Sequence, residues 1–138
     1  MKEFVLDCSA TLPWVFESEA TKATDALLDS VARGAKAWVP ALWHLELGNV
    51  LLVAKRKKRI DQAGIEKFLG TLALYDICVD PDTQHSAWSR SFALAERYEL
   101  SLYDAAYLEL SLRRGLALAT LDSALISATK QAGGKLAL

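Results

Sequence analysis

Four short apolar runs alternate with amphipathic helical stretches along the chain, and this alternation restricts the fold more than any other feature. The runs are Phe4-Val5-Leu6, Ala37-Trp38-Val39, Ile77-Cys78-Val79 and Leu116 to Ala119. None shows the apolar–polar alternation of a strand with one wet face, so each reads as a strand buried on both sides. Between them the spacing predicts a short helical stretch up to Phe16 and helices over Glu19 to Arg33, Ala41 to Arg59 and Gln62 to Leu74. Further helices are expected over Thr83 to Tyr98, Tyr103 to Arg114 and Ser123 to Gln131. Gly34 and Gly115 supply helix stops, and Asp80-Pro81-Asp82 supplies a turn. Leu136-Ala137-Leu138 is a candidate fifth strand. The expected fold is α/β: an open sandwich with a central parallel sheet of four to five short strands and helices on both faces. No repeat or linker interrupts it, so residues 1–138 read as one domain. A domain of that size buries roughly 68–70% of its unfolded surface and needs no staple.

Composition matters mainly for what it removes. With 17 acids against 16 Lys and Arg, the formal net charge is −1, so any attraction to nucleic acid has to be local. Cys8 and Cys78 are the only cysteines and form no CxxC pair, which argues against a zinc ribbon or a dithiol redox motif. Both read as small buried hydrophobes. No apolar stretch approaches the ~18–20 residues of a membrane span. The opening residues, Lys2-Glu3 and three apolar residues before Asp7, do not form a signal peptide. The expectation is a cytoplasmic protein without a membrane segment.

Most of the acids have a bland place. Asp25, Asp29, Glu66, Glu96 and Glu99 fall on polar helix faces, and Asp80 and Asp82 flank the turn proline. Glu109, between Ala105 and Arg113 at helical spacing, reads as surface. Four acids fit no such place. Asp7 ends the first strand and Asp122 follows the fourth, and in open α/β sheets ligands bind outside the carboxyl ends of strands. The competing reading for both is a helix N-cap. Glu46 lies in a segment, Leu42 to Val53, whose only plainly polar residues are His44, Glu46 and Asn49. Glu46 and Asn49 share a helix face. A carboxylate in such surroundings needs a partner, and this stretch of helix offers no basic one. Asp104 heads a helix one turn before Leu108, at the top of an apolar stripe. Its competing reading is a favourable interaction with the helix dipole.

If the four converge, repulsion follows: two carboxylates ~4 Å apart cost about 4 kcal/mol at an effective dielectric of about 20. Either some hold protons or a divalent cation neutralises them. An all-oxygen set, with His44 as the one nitrogen within reach, suits Mg²⁺ or Mn²⁺ better than Zn²⁺.

Four segments resemble one known family. Val5-Leu6-Asp7-Cys8-Ser9-Ala10, then Glu46 followed by Asn49, then Leu100 to Leu108 (LSLYDAAYL), then Leu118 to Leu125 (LATLDSAL) together resemble PIN-domain proteins. Within that group the chain is similar to the VapC-type toxin ribonucleases of toxin–antitoxin pairs. The resemblance implies a PIN-like fold and metal-dependent hydrolysis of RNA phosphodiester bonds. It implies Asp7, Glu46, Asp104 and Asp122 as the acidic metal pocket, Mg²⁺ as cofactor with Mn²⁺ able to substitute, and Ser9, Asn49 and Thr120 as polar support. Asp7 and Asp104 are the better candidates for direct ligands. It also implies a cognate antitoxin and a homodimer.

The run Lys55-Arg56-Lys57-Lys58-Arg59 is a candidate phosphate-contacting patch about 13 Å along a helix from Glu46. Its competing reading is a solvated helix end. Trp14, Phe16, Trp38, Trp43 and Trp88 read mainly as core, while Trp14 and Phe16 are candidates for a groove that receives the antitoxin. His44 and His85 read as isolated histidines rather than a catalytic pair. Two other classes compete with the enzyme. A non-catalytic binding module would have lost at least one of the four acids. A receiver-like regulatory domain would need a second acid beside Asp7 and a lysine after the last strand, and neither is present.

Overall fold

The computed structural model describes residues 2–138. Strand β1 (Glu3–Leu6) leads into a short helix α1 (Cys8–Thr11) and two 3₁₀ turns, Leu12–Trp14 and Glu17–Glu19. Helix α2 (Lys22–Ala32), strand β2 (Lys36–Val39) and the helices α3 (Trp43–Arg56) and α4 (Gln62–Leu72) follow. Then come β3 (Ile77–Val79), α5 (Thr83–Ala87), α6 (Arg90–Tyr98), α7 (Leu102–Arg114), β4 (Leu118–Ala119) and α8 (Ser123–Gln131). All strand pairs are parallel, in the order β3-β2-β1-β4. Parallel pairing follows from the connections, each long enough to carry a helix back across the sheet.

That order contains one reversal. From β1 the chain steps outward through β2 to β3, then returns to place β4 on the other side of β1. The crevice beyond the ends of β1 and β4 is therefore the topological switch point, where open α/β sheets bind ligands. Val5↔Leu118 and Leu6↔Ala119 are in register across it. The amide of Asp7 donates to the Ala119 carbonyl at 2.9 Å, extending the pairing one residue past β1. Phe4, Val5, Leu6, Ala37, Val39, Leu118 and Ala119 are buried, as continuous apolar strands covered on both faces must be.

Helix limits follow local chemistry, which corrects several sequence expectations. Helix α2 begins at Lys22 rather than Glu19 because Thr21 and Thr24 form a reciprocal capping pair, each side chain accepting from the other's amide. Helix α3 stops at Arg56, and Lys58 takes a left-handed conformation (φ 58°), so the basic run leaves the helix in a turn. The helix expected over Thr83 to Tyr98 is broken at Ser89, whose backbone is not helical (φ −123°, ψ −93°). The candidate fifth strand reduces to a single bridge between Leu118 and Leu136.

Side-chain placement brings further corrections. Trp88, expected in the core, lies at the Ser89 break and is 92% exposed. Cys8 is buried but Cys78 is only partly so. Glu109 and Asp80, read as surface and turn acids, are 3% and 2% exposed. Arg113 explains both. Its Nε donates to both Glu109 oxygens, while Nη1 and Nη2 reach Asp80 at 3.1 and 2.6 Å. Arg114 adds a bond to Asp80 at 3.2 Å and stacks on the Trp38 ring. Burial opposes a charge on Asp80, but the two guanidinium groups outweigh it and hold its carboxyl below the ordinary value. This network clamps the C-terminal end of α7 to the end of β3.

Candidate active site

The geometry starts from Asp7. It occupies the N-cap position of α1, yet its side chain makes no capping bond. Instead Oδ2 accepts from Ser9 Oγ at 2.6 Å and from Thr120 Oγ1 at 2.8 Å. Ser9 Oγ in turn accepts from the Leu121 amide at 2.9 Å, and Thr120 Oγ1 from the Asp122 amide at 3.1 Å. The loop after β4 is thus tied to the loop after β1 through one carboxylate, which is only 6% exposed. The N-cap reading fails for Asp7 and holds for Asp122, whose Oδ2 accepts from the Leu125 amide at 2.9 Å.

Glu46 and Asp104 come from two different helices. Glu46 ends the first turn of α3 and is half-buried. Its Oε1 accepts a hydrogen bond from the hydroxyl of Tyr107 on α7. Asp104 lies in the first turn of α7, where Ser101 caps its amide at 3.1 Å. Tyr107 follows one turn later, so a single helix carries Asp104 and the partner of Glu46.

The acids sense one another. Burial raises the Asp7 carboxyl above its ordinary value; the Ser9 and Thr120 hydroxyls pull the other way, and the charge of Asp122 adds to the rise. Glu46 is raised by burial, against the Tyr107 hydrogen bond, with Asp7 and Asp104 contributing. Asp104 is raised by burial and then by Asp122 and Asp7. Burial, with Glu46 and Asp7 nearby, pushes the Cys8 thiol up to about 12, so it stays a neutral, inert thiol.

Among the described residues no cation of the chain pairs with these acids. Among the described residues the ion pairs join Arg59 to Glu19, Arg113 to Asp80, Asp82 and Glu109, and Arg114 to Asp80. None involves the four acids. Also among the described residues, no three His, Cys, Asp or Glu side chains are gathered closely enough to hold an ion as they stand. The residues therefore fit a hard divalent cation in donor chemistry and in charge, and would have to draw together to fit it in spacing.

The remaining candidates separate. Ser9 and Thr120 touch Asp7 directly. Asn49 is exposed on α3 and makes no hydrogen bond to the four acids among the described residues. Lys55, Arg56, Lys57, Lys58 and Arg59 are all exposed at the far end of α3 and are not brought to the acids. Lys55 bonds Gln62 at 2.7 Å, and Arg59 lies over the Phe16 ring while pairing with Glu19 at 3.2 Å. Trp14 lines a groove of about 360 Å³ with Leu28, Ile60, Phe68 and Tyr75. Phe16 is buried under Arg59 and does not line it. A larger apolar groove of about 590 Å³ runs between α3 and α4, lined by Trp43, Leu47, Leu51, Ile65 and Leu72 among others.

Tyr107 is the residue of this site to which the sequence reading gave no role. The available signal was its place one turn after Asp104, since a phenol on a buried face needs a hydrogen-bond partner.

A family model described as PIN domain matches residues 4–131. The structure is similar to that of PAE2754 from Pyrobaculum aerophilum, with TM-score 0.71 and 24% identity over 97% of this chain and 87% of that one. It is also similar to a chain of a toxin–antitoxin complex from Klebsiella pneumoniae, with TM-score 0.57 and 19% identity over 87% of each chain. No curated protein matches.

Proposed function

The chain belongs to the PIN domain family, and from that premise we propose that it is a Mg²⁺-dependent endoribonuclease, the toxin of a toxin–antitoxin pair. The observation that carries the reading is Asp7. It is a buried carboxylate at the sheet's switch point, held by two hydroxyls, within electrostatic reach of Asp122, Glu46 and Asp104, and without an ion-pair partner among the described residues.

In this reading Asp7 and Asp104 hold the cation directly, and Glu46 and Asp122 hold it directly or through water. When bound, Mg²⁺, or Mn²⁺ in its place, supplies Lewis acidity at the phosphodiester. The protein's own part is orientation and proton handling. Ser9 and Thr120 both bind Oδ2 of Asp7, which fixes the carboxylate and leaves Oδ1 for the ligand. A carboxylate beside the bound cation is placed to accept a proton from the attacking water.

The strand is steered by local charge, because the net charge of −1 cannot do it. The run Lys55 to Arg59 begins about 13 Å along α3 from Glu46, a span of two or three nucleotides, and carries the positive charge past the helix end. The cognate antitoxin is assigned the apolar groove beside Trp14, and the active form is assigned as a cytoplasmic homodimer. The likeness to a chain of a toxin–antitoxin complex supports the toxin assignment through the fold alone.

The test is incubation of purified protein with structured RNA and, separately, single-stranded DNA, in Mg²⁺, after EDTA, and after Mg²⁺ is restored. RNA cleavage that EDTA stops and Mg²⁺ restores is the expected result. Equal cleavage of both polymers would replace the ribonuclease assignment with a general nuclease, and cleavage that persists in EDTA would remove the metal.

A further inference from the structure

We infer that Tyr107 is a positioning residue for this site, its hydroxyl orienting the Glu46 carboxylate from a neighbouring helix. The inference rests on the proposed metal-binding role of Glu46 and adds the element that holds it. Tyr107 is fully buried and belongs to the hydrophobic core. A buried phenol without a partner carries a desolvation cost that phenylalanine avoids, so the hydroxyl has to be accounted for by what it binds. It binds Glu46 Oε1, 61 positions away in sequence. An ionised carboxylate only accepts, so the phenol donates. Oε2 then has no protein partner among the described residues and is the oxygen left for a ligand.

The arrangement also couples two acids. Asp104 and Tyr107 lie one turn apart on α7, so movement of that helix shifts one proposed ligand and the anchor of another together. Glu46 itself stands on α3, a long side chain with several rotatable bonds. A fixed hydrogen bond removes that freedom before a cation arrives, as outer-sphere partners of metal ligands do.

The experiment measures Mn²⁺ binding alone, from the spin-resonance signal of free Mn²⁺, without RNA or turnover. It compares the parent protein with Glu46→Gln, Tyr107→Phe and the double variant. Tyr107→Phe is expected to weaken Mn²⁺ binding about tenfold. The double variant should bind no more weakly than Glu46→Gln, because Tyr107 acts through Glu46. Circular dichroism confirms that each variant is folded. Parent-like binding by Tyr107→Phe beside weakened binding by Glu46→Gln would overturn the inference and leave the acidic site standing. A double variant weaker than Glu46→Gln would overturn it too, since Tyr107 would then act by another route. Parent-like binding by Glu46→Gln would remove the site reading at Glu46 and this inference with it.

Discussion

At the scale of single residues, the chain holds two kinds of buried acid with opposite electrostatics. Asp80 has its cations built in, whereas Asp7, Glu46 and Asp104 have none among the described residues. The pH dependence of stability should follow the difference. The three site carboxyls bind protons more tightly in the folded chain than in the unfolded one. Their favourable contribution is therefore complete below the ordinary values of 3.8 and 4.5 and is lost as pH rises through the raised values. The melting temperature of EDTA-treated protein should fall as pH is raised through that window, and saturating Mg²⁺ should cancel the fall. Metal-free Asp7→Asn should melt no lower than the parent, because it removes a buried charge that has no cation. Asp80 has the reverse sign: its contribution is present above 3.8 and lost as pH falls through its lowered value. Asp80→Asn should cost about 1–3 kcal/mol in denaturant unfolding, because it takes the carboxylate from Arg114 and leaves Arg113 with Glu109 and Asp82. A change below 1 kcal/mol would mean that the network is not a structural clamp.

Elements explain what could be read from the chain and what could not. The four strands were legible because parallel strands covered on both faces leave uninterrupted apolar runs such as Phe4-Val5-Leu6, and a run that short has few alternative uses. The break at Ser89 was not legible, because nothing in the apolar spacing from Thr83 to Tyr98 marks it. Glu109 was misread for a related reason. Its i+4 partner Arg113 looks like half of an exposed helix pair, and only the arrival of Asp80 from the end of β3 makes that pair a buried one. The candidate site follows the same division. The places of Asp7 and Asp122 after strands are local information, and their linkage through Thr120 requires β1 and β4 to be neighbours. Tyr107 required knowledge of which helix faces α3. One element also carries a prediction of its own. Helix α3 has Glu46 at one end and the basic run at the other, so Lys55→Gln with Lys57→Gln should weaken RNA binding and flatten its salt dependence while leaving the metal-saturated turnover rate close to the parent's. A fall in turnover at unchanged affinity would place the basic run inside the catalytic machinery instead.

At the scale of the whole molecule, the sheet order matters most. Placing β4 beside β1 brings two chain-distant loops to one crevice, and α7 crosses to it carrying Asp104 while its far end is clamped to β3. One core joins all four strands to α3, α7 and α8. Thermal unfolding should accordingly be a single transition, with fluorescence and circular dichroism coincident; two separated transitions would contradict the reading of residues 1–138 as one domain. The fold thereby brings Asp7, Glu46, Asp104 and Asp122 within electrostatic reach of one another, and the proposed function assigns a cation to neutralise them. The most direct test of that claim is the Mg²⁺-dependent cleavage rate of one structured RNA by the parent, by Asp7→Asn and by any Asp80 variant that remains folded. The account predicts that Asp7→Asn loses cleavage while melting no lower than the parent, and that the Asp80 variant still cuts. Cleavage by Asp7→Asn at the parent rate would contradict it.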